Sequence, residues 1–152
     1  MTQNFFIDVA EENIMNVIRF FLGDNHTVNF YVKDDGSIFD LSGYSAVLSA
    51  KENESDTDYV INIHSSAVSI DTSVGKITFT FTPSDTEDLD AGDYCYDVQI
   101  TNGANVYTLL SDTLQLKPDI TRNDISYNLI TDDYEIKLIT EDSKNLITEN
   151  SI

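Results

Sequence analysis

The chain has 152 residues, enough for one domain with a sizeable core and too few for two comfortable ones. Its 27 Asp and Glu outnumber 8 Lys and Arg, and the formal charge of −19 makes binding to nucleic-acid phosphates or to anionic lipids unfavourable, so neither nucleic acid nor membrane is expected as a partner. A single cysteine, Cys95, excludes an internal disulfide and a cysteine-based metal cluster.

The first 22 residues fit two kinds of element. The run IMNVIRFFL suits a strand, yet the same region also fits a helix. The helical stripe would consist of Ile14, Val17, Ile18, Phe21 and Leu22. Residues 1–22 are therefore predicted to be an N-terminal extension or a first strand. They lack the basic region and cleavage site of a signal peptide, so we expect synthesis in the cytoplasm.

From Thr27 onward apolar and polar residues alternate, as is typical of strands with one buried face. In TVNFYVK, the residues Val28, Phe30 and Val32 would point one way and the polar residues the other. The next three residues, Asp34, Asp35 and Gly36 (34–36), predict a hairpin turn, because Asp and Gly tolerate the positive φ angles of tight turns. A second strand is expected to follow directly.

Further segments continue the alternation at spacings near ten residues. They are YSAVLSAK, YVINI, GKITFTF, AGDYCYDVQI, NVYTLL and TLQLK. Between two of them, Thr82 and Pro83 predict a single helical turn over residues 83–88, since Thr can cap a helix and Pro can open one. The series predicts an all-β fold, an antiparallel β-sandwich over residues 23–122 with extended terminal segments.

One of these segments, LDAGDYCYDV, places Asp90, Gly92 and Tyr94 at the spacing Asp-x-Gly-x-Tyr. The spacing resembles the tyrosine corner of immunoglobulin-like domains, where the Gly permits a tight corner and the Tyr hydroxyl binds backbone. Tyr96 stands where an antibody domain has its second cysteine, and Cys95 would face the opposite side of the strand. The resemblance implies an immunoglobulin-like sandwich without the disulfide between its sheets.

A closer resemblance emerges when several motifs are taken in chain order. The motifs are Gly23-Asp24 with Thr27, FYVKDDG (30–36), DLSGY (40–44), AGDYCYDVQ (91–99), Gly103 with Val106 and TLL (108–110), and DITR (119–122). Over about residues 17 to 122 they resemble the immunoglobulin-like N-terminal domain of upper baseplate proteins and of related tail or neck components of tailed bacteriophages. The resemblance implies a virion structural protein that docks onto a ring of the particle. About 30 residues follow Arg122, so we expect an adaptor, collar or decoration subunit.

Residues 123–152 repeat Leu-Ile-Thr before an acidic residue. The repeated pairs are Leu129 with Ile130, Leu138 with Ile139, and Leu146 with Ile147. Short apolar pairs of this kind gain stability by pairing with another sheet edge or with copies from neighbouring subunits, so we interpret them as a subunit-contact segment. A flexible acidic tail and pairing within the same domain are the open alternatives.

Catalytic chemistry has few candidates in this sequence. A nucleophilic triad would need His26 or His64, and each fits an ordinary polar position. Cys95 lies between two tyrosines and is most simply a small side chain in a sheet. A calcium site would involve the loop of Asp85, Glu87, Asp88 and Asp90, but the chain lacks the spacing of a calcium-binding loop. We expect neither enzymatic activity nor a cofactor.

The sequence thus predicts a structural component of a tailed-phage virion, in its baseplate, tail, collar, neck or fibre adaptor. Its expected partners are other virion structural proteins and further copies of itself. The alternative is a carbohydrate- or surface-binding β-sandwich module with exposed aromatic platforms. The candidates for such platforms are Tyr31, Tyr44, Tyr59 and Tyr107.

Overall fold

The computed structural model describes residues 1–11 and 15–120. Strands dominate this part of the chain, with one helical turn, α1 (Pro83–Thr86), and one 3₁₀ turn (Ser65–Ala67). The strands are β1 (Thr2–Asp8), β2 (Ile18–Phe21), β3 (His26–Asp34), β4 (Ser37–Ile38), β5 (Ser45–Lys51), β6 (Ile61–Ile63), β7 (Val68–Asp71), β8 (Lys76–Phe81), β9 (Gly92–Asn102) and β10 (Asn105–Lys117).

The strands form two five-stranded sheets that face each other. The first sheet has the order β1-β3-β8-β7, with β4 also paired to β3, and the second has the order β2-β10-β9-β5-β6. The predicted all-β, sandwich-like fold is confirmed. Most neighbours are antiparallel, as expected, but β1 runs parallel to β3 and β2 runs parallel to β10.

The two parallel pairings both come from the first 22 residues. β1 aligns Phe5 with Phe30 of β3, whereas β2 aligns Ile18 with Leu114 of β10. The N-terminal segment therefore contributes one strand to each sheet. In β2, Ile18 and Phe20 are buried while Phe21 is exposed, so the period is two and the helical stripe that included Phe21 is not formed there.

The core lies between the sheets and is built from alternate residues of each long strand. Its members from the predicted strands are Val28, Phe30, Val32, Ala46, Leu48, Ala50, Ile77, Phe79, Phe81, Tyr94, Tyr96, Val98 and Ile100. The alternation predicted for β3, β5, β8 and β9 is confirmed by this burial, and so is the inward face of Val28, Phe30 and Val32. The N-terminal strands add Ile7, Ile18 and Phe20 to the same core, which ties β1 and β2 to the sandwich.

The predicted helical turn is present but ends earlier than expected. α1 opens at Pro83 and stops at Thr86, not at residue 88. The backbone N–H of Thr82 donates to the Asp85 carboxylate at 2.7 Å, which caps the turn. Thr86 is fully buried, and its hydroxyl accepts a hydrogen bond from the Gly23 N–H at 2.8 Å. The acidic stretch 85–90 is thus only partly a solvated surface.

Candidate functional site

The predicted hairpin turn joins β3 to β4. Asp35 and Gly36 both have positive φ angles, 51° and 81°, as a two-residue hairpin turn requires. The Asp8 carboxylate at the end of β1 accepts hydrogen bonds from the backbone N–H groups of both residues, each at 2.8 Å. Hydrogen bonds from Ala10, Gly36 and Asp35 lower the pKa of Asp8, because each stabilises its ionised form. The N-terminal strand therefore holds this turn in place.

The residues of the predicted corner meet at the start of β9. The Tyr94 hydroxyl donates to the Asp90 carbonyl oxygen at 2.7 Å, and the Tyr94 ring is buried. Gly92 has a φ of 149°, a backbone angle that side chains other than hydrogen rarely allow. Burial raises the pKa of the Tyr94 hydroxyl, so it remains a donor at neutral pH. The arrangement has the hydrogen bond that defines a tyrosine corner.

A groove of about 440 Å³ lies on the outer face of the second sheet. Outward side chains of β5 and β9 line it, among them Ser49, Lys51 and Asp97, together with residues from the 54–62 segment such as Tyr59. The Lys51 Nζ atom lies 5.6 Å from the centroid of the Tyr59 ring, within range of a cation–π contact. Burial raises the pKa of Asp97, and the charge of Lys51 opposes that shift.

In the described part of the chain, the groove has hydrogen-bonding groups, but the three candidate catalytic side chains do not meet in it. Cys95 lines it, half-buried, on the outer face of the second sheet. His26 lies inside the core on β3 of the first sheet, so the core separates it from Cys95. His64 is exposed beside the 3₁₀ turn and hydrogen-bonds the Ser65 hydroxyl. These side chains lie in three different environments.

His26 has a structural role that the sequence did not indicate. Its ring stacks on Phe20 with centroids 4.5 Å apart, and its Nε2 atom lies 2.9 Å from the Gln3 side-chain oxygen. The same oxygen accepts the Arg19 backbone N–H at 3.0 Å. One glutamine of β1 thus links β2 of the second sheet to β3 of the first. An isolated histidine before a strand gives no signal of this contact, which depends on residues 23 positions apart.

A second buried polar contact was also missed. The Tyr96 hydroxyl, on β9, donates to the backbone oxygen of Asn16, just before β2. The Asn16 N–H in turn donates to the Asp112 carboxylate on β10 at 2.6 Å. Burial raises the pKa of Tyr96 far above its usual range. Tyr96, which occupies the cysteine position of antibody domains, therefore fastens the N-terminal segment to the second sheet.

The four candidate tyrosines are divided among three surfaces. Tyr31 stacks on Phe6 on the outer face of the first sheet, with centroids 5.1 Å apart. Tyr44 and Tyr107 contact each other at 6.3 Å near the β9–β10 turn, and Tyr59 lines the groove. They do not combine into a single aromatic platform.

Neither a metal site nor a membrane-spanning helix occurs in the described ranges. Within residues 1–11 and 15–120, no three His, Cys, Asp or Glu side chains converge as metal ligands would, and this includes the loop at 85–90. No helix in that same part of the chain is long and apolar enough to cross a membrane. The repeat residues of the C-terminal segment lie outside the described residues. They are Leu129, Ile130, Leu138, Ile139, Leu146 and Ile147.

These features define an immunoglobulin-like β-sandwich with a tyrosine corner, a clamped hairpin and an N-terminal strand in each sheet. The sequence matches the family of the BppU N-terminal domain over residues 1–87, which is more than half of the chain. The protein belongs to this family, a domain of phage baseplate structural proteins. The resemblance noted in the sequence is thereby confirmed. Its role is that of a structural virion protein.

Several solved structures are similar to the chain at low sequence identity. The N-terminal domain of phage TP901-1 ORF48 has 13% identity and a TM-score of 0.47, covering 78% of this chain and 99% of its own. The NK cell receptor Nkp44 has 18% identity and a TM-score of 0.40, and the match covers 70% of this chain and 100% of the receptor chain. The cysteine protease inhibitor EhICP2 from Entamoeba histolytica has 8% identity and a TM-score of 0.38, and the match covers 78% of this chain and 97% of the inhibitor chain.

All three TM-scores lie below 0.5, and family membership therefore stands on the sequence match. No curated protein sequence matches the chain.

Proposed function

We propose that this protein is a non-enzymatic virion subunit that docks onto another virion protein through its sandwich and assembles through its terminal segments. The observation that carries the proposal is the match to the BppU N-terminal domain over residues 1–87. In this proposal the protein is made in the host cytoplasm, enters the particle as an adaptor or collar subunit, and binds further copies of itself. It contacts neither nucleic acid nor membrane.

The fold supports separate roles for the sandwich, which forms the folded domain, and for residues 123–152, which would form subunit contacts. The last core side chain among the described residues is Leu116, near the end of β10. The described residues that precede the repeats thus form a continuous core between the two sheets. Repeated apolar pairs in an acidic background have main-chain groups to offer to a sheet edge, and pairing with neighbouring subunits would satisfy them. We infer that residues 123–152 are the subunit-contact segment.

Native mass spectrometry of the full chain tests the assembly step. We expect the full chain to form a defined oligomer that is lost in a variant with Leu129, Leu138 and Leu146 replaced by Ser. The matched control replaces the threonines of the same repeats, Thr131, Thr140 and Thr148, by Ser and should keep the oligomer. A chain ending at Arg122 should remain folded and monomeric.

Two results would contradict this proposal. An oligomer that survives the Leu→Ser changes would mean that other residues hold the subunits together. Unfolding of the chain that ends at Arg122 would mean that the repeats belong to the sandwich itself.

A further inference from the structure

One end of the sandwich has an unusual concentration of exposed apolar side chains. This end, called here the hairpin end, comprises residues 8–10, 34–44, 71–76 and 102–107, where β1, β3, β7 and β9 finish. Among the described residues, eleven large apolar side chains are exposed, and five of them lie at the hairpin end. The five are Val9, Ile38, Val74, Val106 and Tyr107. Single exposed apolar residues are normal on a protein surface, but a cluster marks an interaction site.

The segments of the hairpin end are joined by direct contacts. The Val9 N–H donates to the Lys33 carbonyl oxygen at 2.9 Å, which brings the end of β1 against the β3–β4 hairpin. On the other side of this hairpin, Ile38 lies against Gly75, so closely that a Cβ atom at residue 75 would be 3.0 Å from the Ile38 Cγ2 atom. The hairpin therefore connects the Val9 and Val74 positions.

An aromatic chain extends the surface to the second sheet. Phe39 contacts Tyr44 with ring centroids 5.9 Å apart, and Tyr44 contacts Tyr107 at 6.3 Å. Phe39 and Tyr44 also pack against the hydrophobic core. These ring contacts link the segment after the β3–β4 hairpin to Tyr107 of the second sheet.

Carboxylates border this apolar surface. Five aspartates belong to the hairpin end, against one lysine, Lys76, while Lys33 lies just before it on β3. The aspartates are Asp8, Asp34, Asp35, Asp40 and Asp71. Three of them accept hydrogen bonds: Asp8 from the hairpin backbone, Asp40 from Ser42 and Asp71 from Ser73.

The Asp40 carboxylate accepts the Ser42 N–H at 3.0 Å, and the Asp71 carboxylate accepts the Ser73 hydroxyl at 2.6 Å. These hydrogen bonds from Ser42 and Ser73 lower the pKa of both carboxyls, so they remain charged well below neutral pH. The border is therefore permanently acidic under physiological conditions.

We propose that the hairpin end is the docking surface of this domain, and that its occupant is another virion protein with an apolar patch bordered by Lys and Arg. An apolar centre with a charged border is the usual anatomy of a protein–protein interface. A second copy of this chain would bring acidic border against acidic border, which like-charge repulsion disfavours. The inference rests on the proposed virion role and names the face and the partner chemistry.

Site-specific photo-cross-linking in assembled particles tests the proposal. A photoreactive phenylalanine analogue is placed at Val106 or Ile38 of the full chain, and purified virions are irradiated. The controls carry the analogue at Tyr59, which is 57% exposed like Val106 but lies in the groove, or at Phe21 near the opposite end. We expect cross-links from Val106 and Ile38 to one virion protein, at a peptide rich in apolar residues with Lys or Arg nearby. The analogue at Tyr59 or Phe21 should give no cross-link to that peptide.

A charge variant tests the acidic border in the same particles. Asp34→Asn with Asp35→Asn removes two charges and keeps residues that tolerate the turn. Its control, Glu52→Gln with Asp58→Asn, removes two charges beyond the other end of β5. In competition with the wild-type chain during assembly, the first variant should be depleted from virions and the control should not.

Every other outcome counts against the inference. Cross-links from Tyr59 or Phe21 instead of Val106 and Ile38, no cross-links from any position, or a cross-linked peptide that is acidic or belongs to a second copy would each overturn it. In these cases the chain is still found in virions, and the proposed virion role stands. Absence of the chain from purified virions, measured by mass spectrometry, would instead refute the proposed function itself.

Discussion

The buried histidine His26 makes the stability of this protein depend on pH in a defined window. The side chain is 2% exposed, and burial, together with the positive charge of the N-terminal amine, lowers its pKa from 6.5 to about 4. The folded state therefore favours the neutral ring, whereas the unfolded chain takes up a proton below pH 6.5. The contribution of neutral His26 to stability is complete above pH 6.5 and is lost progressively as the pH falls toward 4.

The size of the loss in unfolding free energy follows from the size of the His26 pKa shift. Each unit between the two pKa values is worth about 1.4 kcal/mol, so between pH 7 and pH 4 the free energy of unfolding should fall by about 3 kcal/mol because of His26 alone. Protonation would place a charge in the core next to the Phe20 ring, on which the imidazole is stacked. Among residues 1–11 and 15–120, the buried Nδ1 atom has no hydrogen-bond partner that could share this charge.

Urea denaturation at a series of pH values measures the effect. The variant His26→Phe keeps an aromatic ring against Phe20 and has no titrating group at this position. The difference in unfolding free energy between wild type and variant should shift by about 3 kcal/mol from pH 7 to pH 4. The carboxyls whose pKa values are lowered, such as Asp8, are present in both proteins and cancel.

His64→Gln is the control for the removal of a histidine, since the His64 side chain is exposed. Its unfolding free energy should follow that of the wild type across the series. Parallel pH profiles for wild type and His26→Phe would refute the reasoning, because the histidine would then titrate equally in the folded and unfolded states.

Two further predictions concern backbone anchors and are measured by urea denaturation at neutral pH. Tyr94→Phe removes the hydrogen bond to the Asp90 carbonyl and should lower the free energy of unfolding by about 1 kcal/mol, while an unchanged midpoint would mean that water replaces this bond at no cost. Gly75→Ala should cost more than Gly103→Ala, although both glycines have positive φ. A Cβ atom at residue 75 would lie 2.8 Å from the Val32 carbonyl oxygen, whereas a Cβ atom at residue 103 would have no described atom within 4 Å. Equal losses would show that only the φ angle matters.

The sequence alone determined which side of each long strand is buried. Side chains alternate direction along any extended chain, so the pattern of Val28, Phe30 and Val32 specifies an inward face without knowledge of the neighbouring strands. Tight turns are equally local: the backbone angles at Asp35 and Gly36 depend on residue type. The spacing from Asp90 to Tyr94 likewise brings a hydroxyl within reach of a carbonyl four residues earlier.

Only the tertiary structure decided how the strands pair and which surfaces they create. Ile18 lies beside Leu114, and no local pattern carries information about a partner that distant. The parallel placement of β1 and β2 therefore could not be foreseen, nor could the polar contacts of Gln3 and His26 that depend on it. The hairpin end combines residues from four separate segments for the same reason. The buried side of a strand and the shape of a tight turn depend on residues that are neighbours in sequence. Strand pairing and the surfaces that it creates depend on residues that are neighbours only in space.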